Sequence, residues 1–409
     1  MLLQTSELTS RAAAEAFVGG VCFKVGPPVL VGAELEWLTC LHRPGTANHG
    51  ARPDLSLVRH ALGPYAPKSL SPSSPALPLP AGSVITIEPG GQIELSSPPV
   101  ASADELCGLL RSDEGFLRKL LDAHSIRLTG AAADAARPPQ RQLQLPRYAA
   151  MEQRFASIGC FGTLMMCNTA ATQVSLDAGA SPAQIAQRWR ALYAIGPALL
   201  AAFACSPRLF GAPDGVWASQ RMRAWLQLDP ARTNVPVDGP DPVAQYARWA
   251  VQAPLLCVRR PGADWTPPPG ATFGDWIDGA LDSQLGRRPD HDDLRYHLST
   301  LFPPIRAAGH LEVRYIDAQR GHDWAVPIAV IDALMRAPAV VPEAHSLAAG
   351  TAGRWLDAAR LGLRDGELRS AAISLLELAA AHAEPVLVTP IANAARRCRA
   401  GRTPLESQE

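Results

Sequence analysis

The chain has 409 residues, of which 47% are hydrophobic and 19% charged, so there is enough apolar material for a sizeable core. Lys plus Arg and Asp plus Glu both total 38, and this balance argues against a nucleic-acid-binding protein, which needs a basic excess to neutralise phosphates. The longest apolar stretch, 194–205, is shorter than the roughly 18 residues that a membrane-spanning helix needs.

The first elements along the chain are short strands. Residues 28–100 contain β-like runs separated by Gly and Pro. Within them, 63–82 holds six prolines and predicts a long ordered loop or a lid, because proline sustains neither a helix nor a central strand. Leucines at helical spacing then predict a helix over 101–125.

The second half of the chain is richer in predicted helices. Ser181 followed by Pro182 marks the start of a helix that runs to about Ala204. Residues 365–383 predict another, and 398–409 predict a polar C-terminal tail. No segment reads as a domain linker, so we expect one domain over 1–409.

The eight cysteines include no CxxC pair, which predicts free thiols rather than disulfides or a zinc site. Residues 1–20 lack the apolar run of a signal peptide. Both features indicate a cytoplasmic protein.

Four predicted strands carry acids or amides on one face and bulky apolar groups on the other, since side chains alternate along a strand. The polar positions are Glu34 and Glu36 in 31–39, Glu88, Gln92 and Glu94 in 84–96, Gln173, Ser175 and Asp177 in 172–177, and Glu312 and Arg314 in 311–316.

Two interpretations fit this alternation. A sheet with one face in water shows it too. A solvated face usually mixes charges, however, whereas these strands carry five glutamates and one basic partner, Arg314. Neighbouring carboxylates at ~4 Å repel by about 4 kcal/mol per pair at an effective dielectric near 20, so converging acids need cations. Carboxylate and amide oxygens suit Mg²⁺ or Mn²⁺, which usually carry substrate phosphates. The pattern therefore favours a metal-dependent phosphoryl-transfer site, although no P-loop or HExxH motif is present in the sequence.

Over residues 28–335 the chain resembles the glutamate–cysteine ligases, in the group that includes the plant enzymes. Besides the Glu34/Glu36 strand, the motifs that carry the resemblance are, in order, EPGGQIELSSPP (88–99), LPRYAAMEQRF (145–155), GTLMMCNTAATQVSLD (162–177), SQRMRAW (219–225), DPARTN (229–234), HLSTLFPPIR (297–306) and HLEVRYIDAQ (310–319).

The resemblance implies an α+β fold, in which a curved, mainly antiparallel sheet forms a funnel with helices outside, as in the glutamine-synthetase-like superfamily. It also implies ATP-dependent joining of L-glutamate to L-cysteine through γ-glutamyl phosphate. A compact, Arg-rich version such as this resembles the ligase that begins bacterial ergothioneine biosynthesis. Neither a nucleic acid nor a membrane is an expected partner.

The resemblance also implies roles for individual residues. Arg314 is expected near the transferred phosphoryl group, and Arg147 and Arg221 around the amino-acid substrates. The expected contacts of bound ATP and its metal are Glu34, Glu36, Gln92 and Gln173. The expected ligands of Mg²⁺, with Mn²⁺ as the alternative, are Glu34, Glu36, Glu88, Glu94, Gln173 and Glu312.

Two other functions stay open at this point. A ligase of the same superfamily with a different amine acceptor would share the phosphoryl-transfer motifs. A non-enzymatic scaffold or binding module would have lost a carboxylate ligand, and none is missing here. A ligase must also shield its acyl phosphate from water, so 63–82 is a candidate for a closing lid.

Overall fold

A computed structural model describes residues 8–42, 50–237, 239–262 and 264–406. Its centre is a seven-stranded sheet. Six strands follow the order β2-β3-β1-β5-β7-β6, and the seventh, β4, pairs with the C-terminal part of β1, past the part that pairs with β3. All the strand pairings are antiparallel. The strands are β1 Val31–Leu41, β2 Val84–Ile87, β3 Ile93–Ser96, β4 Ile126–Thr129, β5 Ala171–Leu176, β6 Ile305–Ala307 and β7 Leu311–Asp317.

The four predicted strand segments are confirmed, because they form β1, the β2–β3 hairpin, β5 and β7. Strands β4 and β6 were not predicted. Glu88 lies just past the end of β2, where its N–H donates to the Gln92 carbonyl and opens the hairpin turn. The register places Glu34 opposite Gln173 and Glu36 opposite Glu94. The predicted polar positions of neighbouring strands therefore meet on one side of the sheet.

The other main elements of the described chain are α-helices. Their bounds are α1 Arg11–Cys22, α2 Leu55–Leu62, α3 Ala103–Asp122, α4 Pro146–Ala156, α5 Phe161–Asn168, α6 Pro182–Phe203, α7 Gln220–Leu228, α8 Pro230–Thr233, α9 Pro242–Gln252, α10 Phe273–Asp278, α11 Asp282–Leu285, α12 His291–Leu298, α13 Ala325–Arg336, α14 Val340–Ala348, α15 Trp355–Leu361, α16 Gly366–His382 and α17 Pro385–Arg399.

The three predicted helices appear as α3, α6 and α16. Ser181 caps α6 by accepting the N–H of Gln184, and Pro182 occupies its first turn. Tyr193 of α6 donates its hydroxyl to the Ile305 carbonyl at 3.1 Å, which fixes this buried helix against the β6–β7 side of the sheet. Helix α17 runs to Arg399, so regular structure continues into the predicted tail 398–409.

In the described part of the chain, no single helix is long and apolar enough to cross a membrane. By length and composition alone, the bent pair 325–336 and 340–351 passes that test together.

The proline-rich segment 63–82 is irregular except for a short 3₁₀ turn at Gly63–Tyr65. Its C-terminal end is anchored, because the fully buried carboxylate of Asp113 on α3 accepts the N–H groups of Ala81 at 2.8 Å and Ser83 at 2.9 Å. The segment is thus an ordered loop. Its closure as a lid stays a prediction.

All eight cysteines are free, as predicted, and seven of them are buried. Burial raises the pKa of the Cys22, Cys107 and Cys167 thiols to about 12, so these side chains are neutral core residues at physiological pH.

Candidate active site

The polar face of the sheet divides into two parts with different charge. We call Glu34, Glu36, Glu88 and Glu94, which lie on β1, β3 and the hairpin turn, the acid half. We call Glu312, Arg314 and Arg306, on β7 and β6, together with Arg221 from α7, the basic half. Strand β5 lies between the two and contributes Gln173.

In the acid half, Glu36 is held by β5. Its Oε1 accepts a hydrogen bond from Nε2 of Gln173, and its Oε2 accepts one from the N–H of Ala171, both at 2.8 Å. Gln173 is only 3% exposed, and its own Oε1 is buried without a hydrogen-bond partner in the described part of the chain. A buried amide oxygen destabilises the fold unless a hydrogen-bond donor or a cation contacts it.

The other carboxyls of the acid half repel one another. Burial, together with the charges of Glu36 and Glu34, raises the pKa of Glu88 to about 7. Burial and the charges of Glu88 and Glu36 raise the pKa of Glu94 to about 8, even though Thr86 donates a hydrogen bond to it. The pKa of Glu34 is also raised well above its ordinary value, chiefly by burial and then by Glu94 and Glu312. Without a cation, this half therefore tends to hold protons.

In the basic half, the one carboxylate is fully paired. Glu312 accepts from Nε of Arg306 at 2.9 Å and from Nη2 of the same guanidinium at 3.1 Å, and it also contacts Nη1 of Arg314. Burial alone would raise the pKa of Glu312, but the charges of Arg306 and Arg314 outweigh it and lower the pKa to about 2. Glu312 is therefore ionised, in contrast to the acid half.

Arg221 reaches this region from α7 and is only 1% exposed. Its Nη2 donates to the Arg314 carbonyl at 2.7 Å, and its Nη1 lies 3.7 Å from Oδ1 of Asp317. Asp317 in turn accepts from the hydroxyls of Ser206 at 2.7 Å and Ser219 at 2.9 Å. The guanidinium predicted to bind a substrate thus makes contacts within the protein.

Two other predicted residues are likewise engaged by protein groups. Arg147 donates to the side chain and the carbonyl of Ser299 at 2.8 and 2.7 Å. The amide of Gln92, predicted to contact ATP, accepts from the N–H of Gly90 and donates to the carbonyls of Met166 and Thr169, at 3.0 to 3.1 Å. Gln92 therefore fastens the hairpin turn to the end of α5, and its contact with ATP stays a prediction.

The same turn explains why a glycine stands at position 90. A Cβ there would lie 2.4 Å from the Cys167 carbonyl oxygen, closer than real Cβ atoms come to backbone. Glycine lets the turn approach α5 this closely, and the turn carries Glu88 of the acid half.

Within the described residues, no three His, Cys, Asp or Glu side chains are grouped to hold a metal ion as they stand. The chemistry of the acid half nevertheless fits one. It offers the unpartnered Oε1 of Gln173 beside carboxyls whose ionisation is opposed by burial and by each other. A divalent cation would satisfy that oxygen and compensate the charge, and this donor set suits Mg²⁺ or Mn²⁺.

Three residues of this region were not assigned from the sequence. Arg306 belongs to a three-residue strand that follows two prolines, too short to show alternation. Asp317 ends β7 and pairs with Arg221. Trp225 lies inside a recognised motif, but an apolar position in a helix carries no sign of a role.

Comparison with known proteins gives concordant matches. The model of a family described as "Glutamate-cysteine ligase family 2" matches residues 30–401. Glutamate–cysteine ligase EgtA of Mycolicibacterium smegmatis is 36% identical over 98% of this chain and 91% of that protein. EgtA of Mycobacterium tuberculosis H37Rv is 36% identical over 91% of this chain and 84% of its own. The chloroplastic glutamate–cysteine ligase of Arabidopsis thaliana is 31% identical over 59% of this chain and 46% of that protein.

Among solved structures, a glutamate–cysteine ligase from Francisella tularensis in complex with AMP superposes with a TM-score of 0.52. The superposition covers 93% of this chain and 84% of the Francisella tularensis chain, at 14% sequence identity. A likeness at this identity speaks to the fold alone. It confirms the predicted α+β class built on an antiparallel sheet.

Proposed function

The chain belongs to glutamate–cysteine ligase family 2, and from this premise we propose that it joins the γ-carboxyl of L-glutamate to the amine of L-cysteine at the expense of ATP. The products are γ-glutamylcysteine, ADP and phosphate. The observation that carries the proposal is the divided polar face, with carboxyls on β1, β3 and the hairpin turn beside arginines on β6 and β7. The relatives named glutamate–cysteine ligase, which align over nearly the whole chain, support the same reaction.

The reaction takes two displacements. A γ-carboxylate oxygen of glutamate attacks the γ-phosphorus of ATP, and the bond from that phosphorus to the bridging oxygen breaks, releasing ADP. The amine nitrogen of cysteine then attacks the acyl carbon, the carbon–oxygen bond to phosphate breaks, and the nitrogen loses a proton. Phosphoryl transfer depends mostly on positioning and on stabilising charge.

The acid half would bind the divalent cation that this reaction needs. Mg²⁺, or Mn²⁺ in its place, neutralises the charge on the ATP phosphates when bound. The residues that would hold it are Glu34, Glu36, Glu88 and Glu94 of the acid half, with Gln173 from β5. Glu312, the sixth predicted ligand, lies in the basic half and would have to exchange a contact with Arg306 or Arg314 to join them. Glu36 is already oriented by Gln173 and Ala171, so part of this set is fixed before a ligand arrives.

The basic half supplies fixed positive charge for anionic groups. Arg314 uses Nη1 on Glu312, while its Nε is buried and has no partner among the described residues, so donors remain for an incoming oxygen anion. Arg306 keeps Glu312 ionised and in place. Arg147 and Arg221 stay candidates for the substrate carboxylates, and to act so each would have to exchange a contact it now makes within the protein.

We further propose that γ-glutamylcysteine made here feeds bacterial ergothioneine biosynthesis, as predicted from the resemblance. The extensive alignment with the two mycobacterial EgtA proteins supports this assignment. A cytoplasmic location, and the absence of nucleic-acid and membrane partners, remain predictions.

The test is a product assay on the purified chain with ATP, Mg²⁺, glutamate and a panel of amines that includes cysteine. We expect γ-glutamylcysteine by mass spectrometry, one ADP per ligated product, and no product when EDTA replaces Mg²⁺. A preferred amine other than cysteine would instead establish the alternative ligase. ATP binding without turnover of any amine would contradict both enzyme proposals.

A further inference from the structure

One aromatic side chain contacts two arginines of the basic half, Arg314 and Arg221. Trp225 on α7 is 7% exposed. The guanidinium carbon of Arg314 lies over its ring at 5.1 Å from the ring centre, and that of Arg221 at 5.4 Å. The indole is itself fixed, because Nε1 donates to the Phe302 carbonyl at 2.9 Å and the two rings meet edge to face at 6.1 Å.

The two guanidiniums differ in the donors they have left. Arg221 gives donors to the Arg314 carbonyl and to the sulfur of Met222, and it is paired with Asp317. Among the described residues, the Arg314 guanidinium has one hydrogen-bonding partner, the carboxylate of Glu312, and its Nε is buried without one. A single hydrogen-bonding partner leaves a guanidinium plane poorly fixed. An indole face attracts the cation without occupying any N–H group.

Resting on the proposed function, we infer that Trp225 is a positioning residue for Arg314. Its ring holds the guanidinium while the remaining N–H groups stay available to the oxygens of the transferred phosphoryl group. Trp225 touches neither substrate nor metal in this role. Its loss should therefore slow formation of the acyl phosphate and leave the affinity for cysteine unchanged.

A matched control exists in Trp249 on α9. It is 9% exposed and packs on Tyr246 with ring centres 5.3 Å apart, and within the described residues no guanidinium lies over it. Replacing Trp249 by leucine removes a comparable buried ring away from the polar face. It measures the cost of losing packing alone.

The step itself can be followed without cysteine. ATP carrying ¹⁸O in the β,γ bridge scrambles that label when glutamate reversibly forms γ-glutamyl phosphate and ADP, so exchange in the wild-type protein tests the proposed function separately. For Trp225→Leu we expect exchange and kcat to fall about tenfold, the size of a lost cation–π contact, with KM for cysteine unchanged. Trp225→Phe, which keeps a ring, should lose about threefold. Trp249→Leu should lower the Tm but keep the wild-type kcat.

Wild-type exchange and kcat in Trp225→Leu would overturn the inference, as would an equal loss in the Phe and Leu variants. If the Leu variant does not fold, Trp225→Phe is combined with Arg314→Lys. We then expect the double variant to lose no more than Arg314→Lys alone, because the ring acts through the guanidinium, and additive losses would overturn the inference. No glutamate-dependent exchange in the wild-type protein would instead refute the proposed function itself.

Discussion

The two halves of the polar face show how the same side chain takes opposite states a few strands apart. Glu94 on β3 has a pKa of about 8, because burial and neighbouring carboxyls oppose its charge. Glu312 on β7 is also buried, yet its pKa is about 2 because Arg306 and Arg314 are in contact with it. Burial is common to both, so the cations decide the outcome.

This difference indicates a division of labour. The acid half has no guanidinium in ion-pair contact within the described chain, and we propose that a cation from solution completes it. The basic half is already compensated and has donors left for an anion. A nucleotide carrying Mg²⁺ brings both charges at once. Each prediction below disturbs one half and asks whether the other is spared.

The largest effect is expected from removing a carboxylate. Glu94→Ala or Glu312→Ala should abolish ADP release at saturating glutamate and ATP, because each change removes a proposed metal ligand. Mutating a residue that only orients a metal ligand already lowers metal affinity or activity about 10- to 100-fold, and loss of the ligand itself should cost more. The measurement is coupled ADP release across a Mg²⁺ titration. Glu343→Ala, at an exposed position on α14, is the control. Turnover near the wild-type rate would remove the altered residue from the ligand set.

The next effect concerns the basic half alone. Arg314→Lys keeps the charge but loses the planar donor array, so kcat should fall by about 100-fold while the Mg²⁺ concentration for half-maximal activity stays the same. Steady-state kinetics at several Mg²⁺ concentrations measure both quantities. A large shift in Mg²⁺ requirement would show that the two halves do not work separately.

Arg221→Lys should have a smaller effect. The sequence-based prediction is a raised KM for glutamate or a lower kcat, and we expect about a tenfold change because one charge-assisted contact is altered. The contacts of Arg221 with the Arg314 carbonyl and Asp317 make loss of kcat the expected form. An unchanged glutamate dependence together with an unchanged kcat would exclude Arg221 from the site.

The smallest effect is on stability. Glu88 and Glu94 have pKa values of about 7 and 8 in the fold against a reference of 4.5, so their protonated forms stabilise the metal-free protein at low pH, and this contribution is lost as pH rises through 7 to 8. Glu312 has a lowered pKa, so its ionised form stabilises the fold. That contribution to stability is present at neutral pH and is lost only as pH falls toward 2.

In EDTA the Tm should therefore decline by a few degrees between pH 6 and 9, and Mg²⁺ should remove most of that decline. Thermal unfolding followed by circular dichroism measures it. Glu94→Gln should flatten the curve in EDTA. A Tm that rises over this range without metal would contradict the ionisation assigned to the acid half.

Much of the fold followed from local patterns. Alternation gave β1, β5 and β7 because each strand has one polar and one apolar face, and caps such as Ser181 marked helix starts. Strand β6 was not predicted because three residues are too few to show alternation. Arg306, which lies on β6 and pairs with Glu312, was therefore not predicted either.

The candidate site was predictable in residue type more than in role. Face-sharing carboxyls could be identified from spacing, but the use of each polar atom depends on tertiary contacts. Gln92 satisfies backbone groups of α5, and Arg221 makes contacts with β7, although both stand in motifs that suggested ligand binding. No spacing rule distinguishes a free amide from one already bonded.

The distribution of thiols has a practical consequence. Cys160, just before α5, is the one exposed cysteine of the eight. A maleimide dye should therefore attach at this single position in the native protein, without prior removal of other cysteines. Because α5 leads directly into β5 and Gln173, the fluorescence of such a label can be tested for a change when ATP and Mg²⁺ are added.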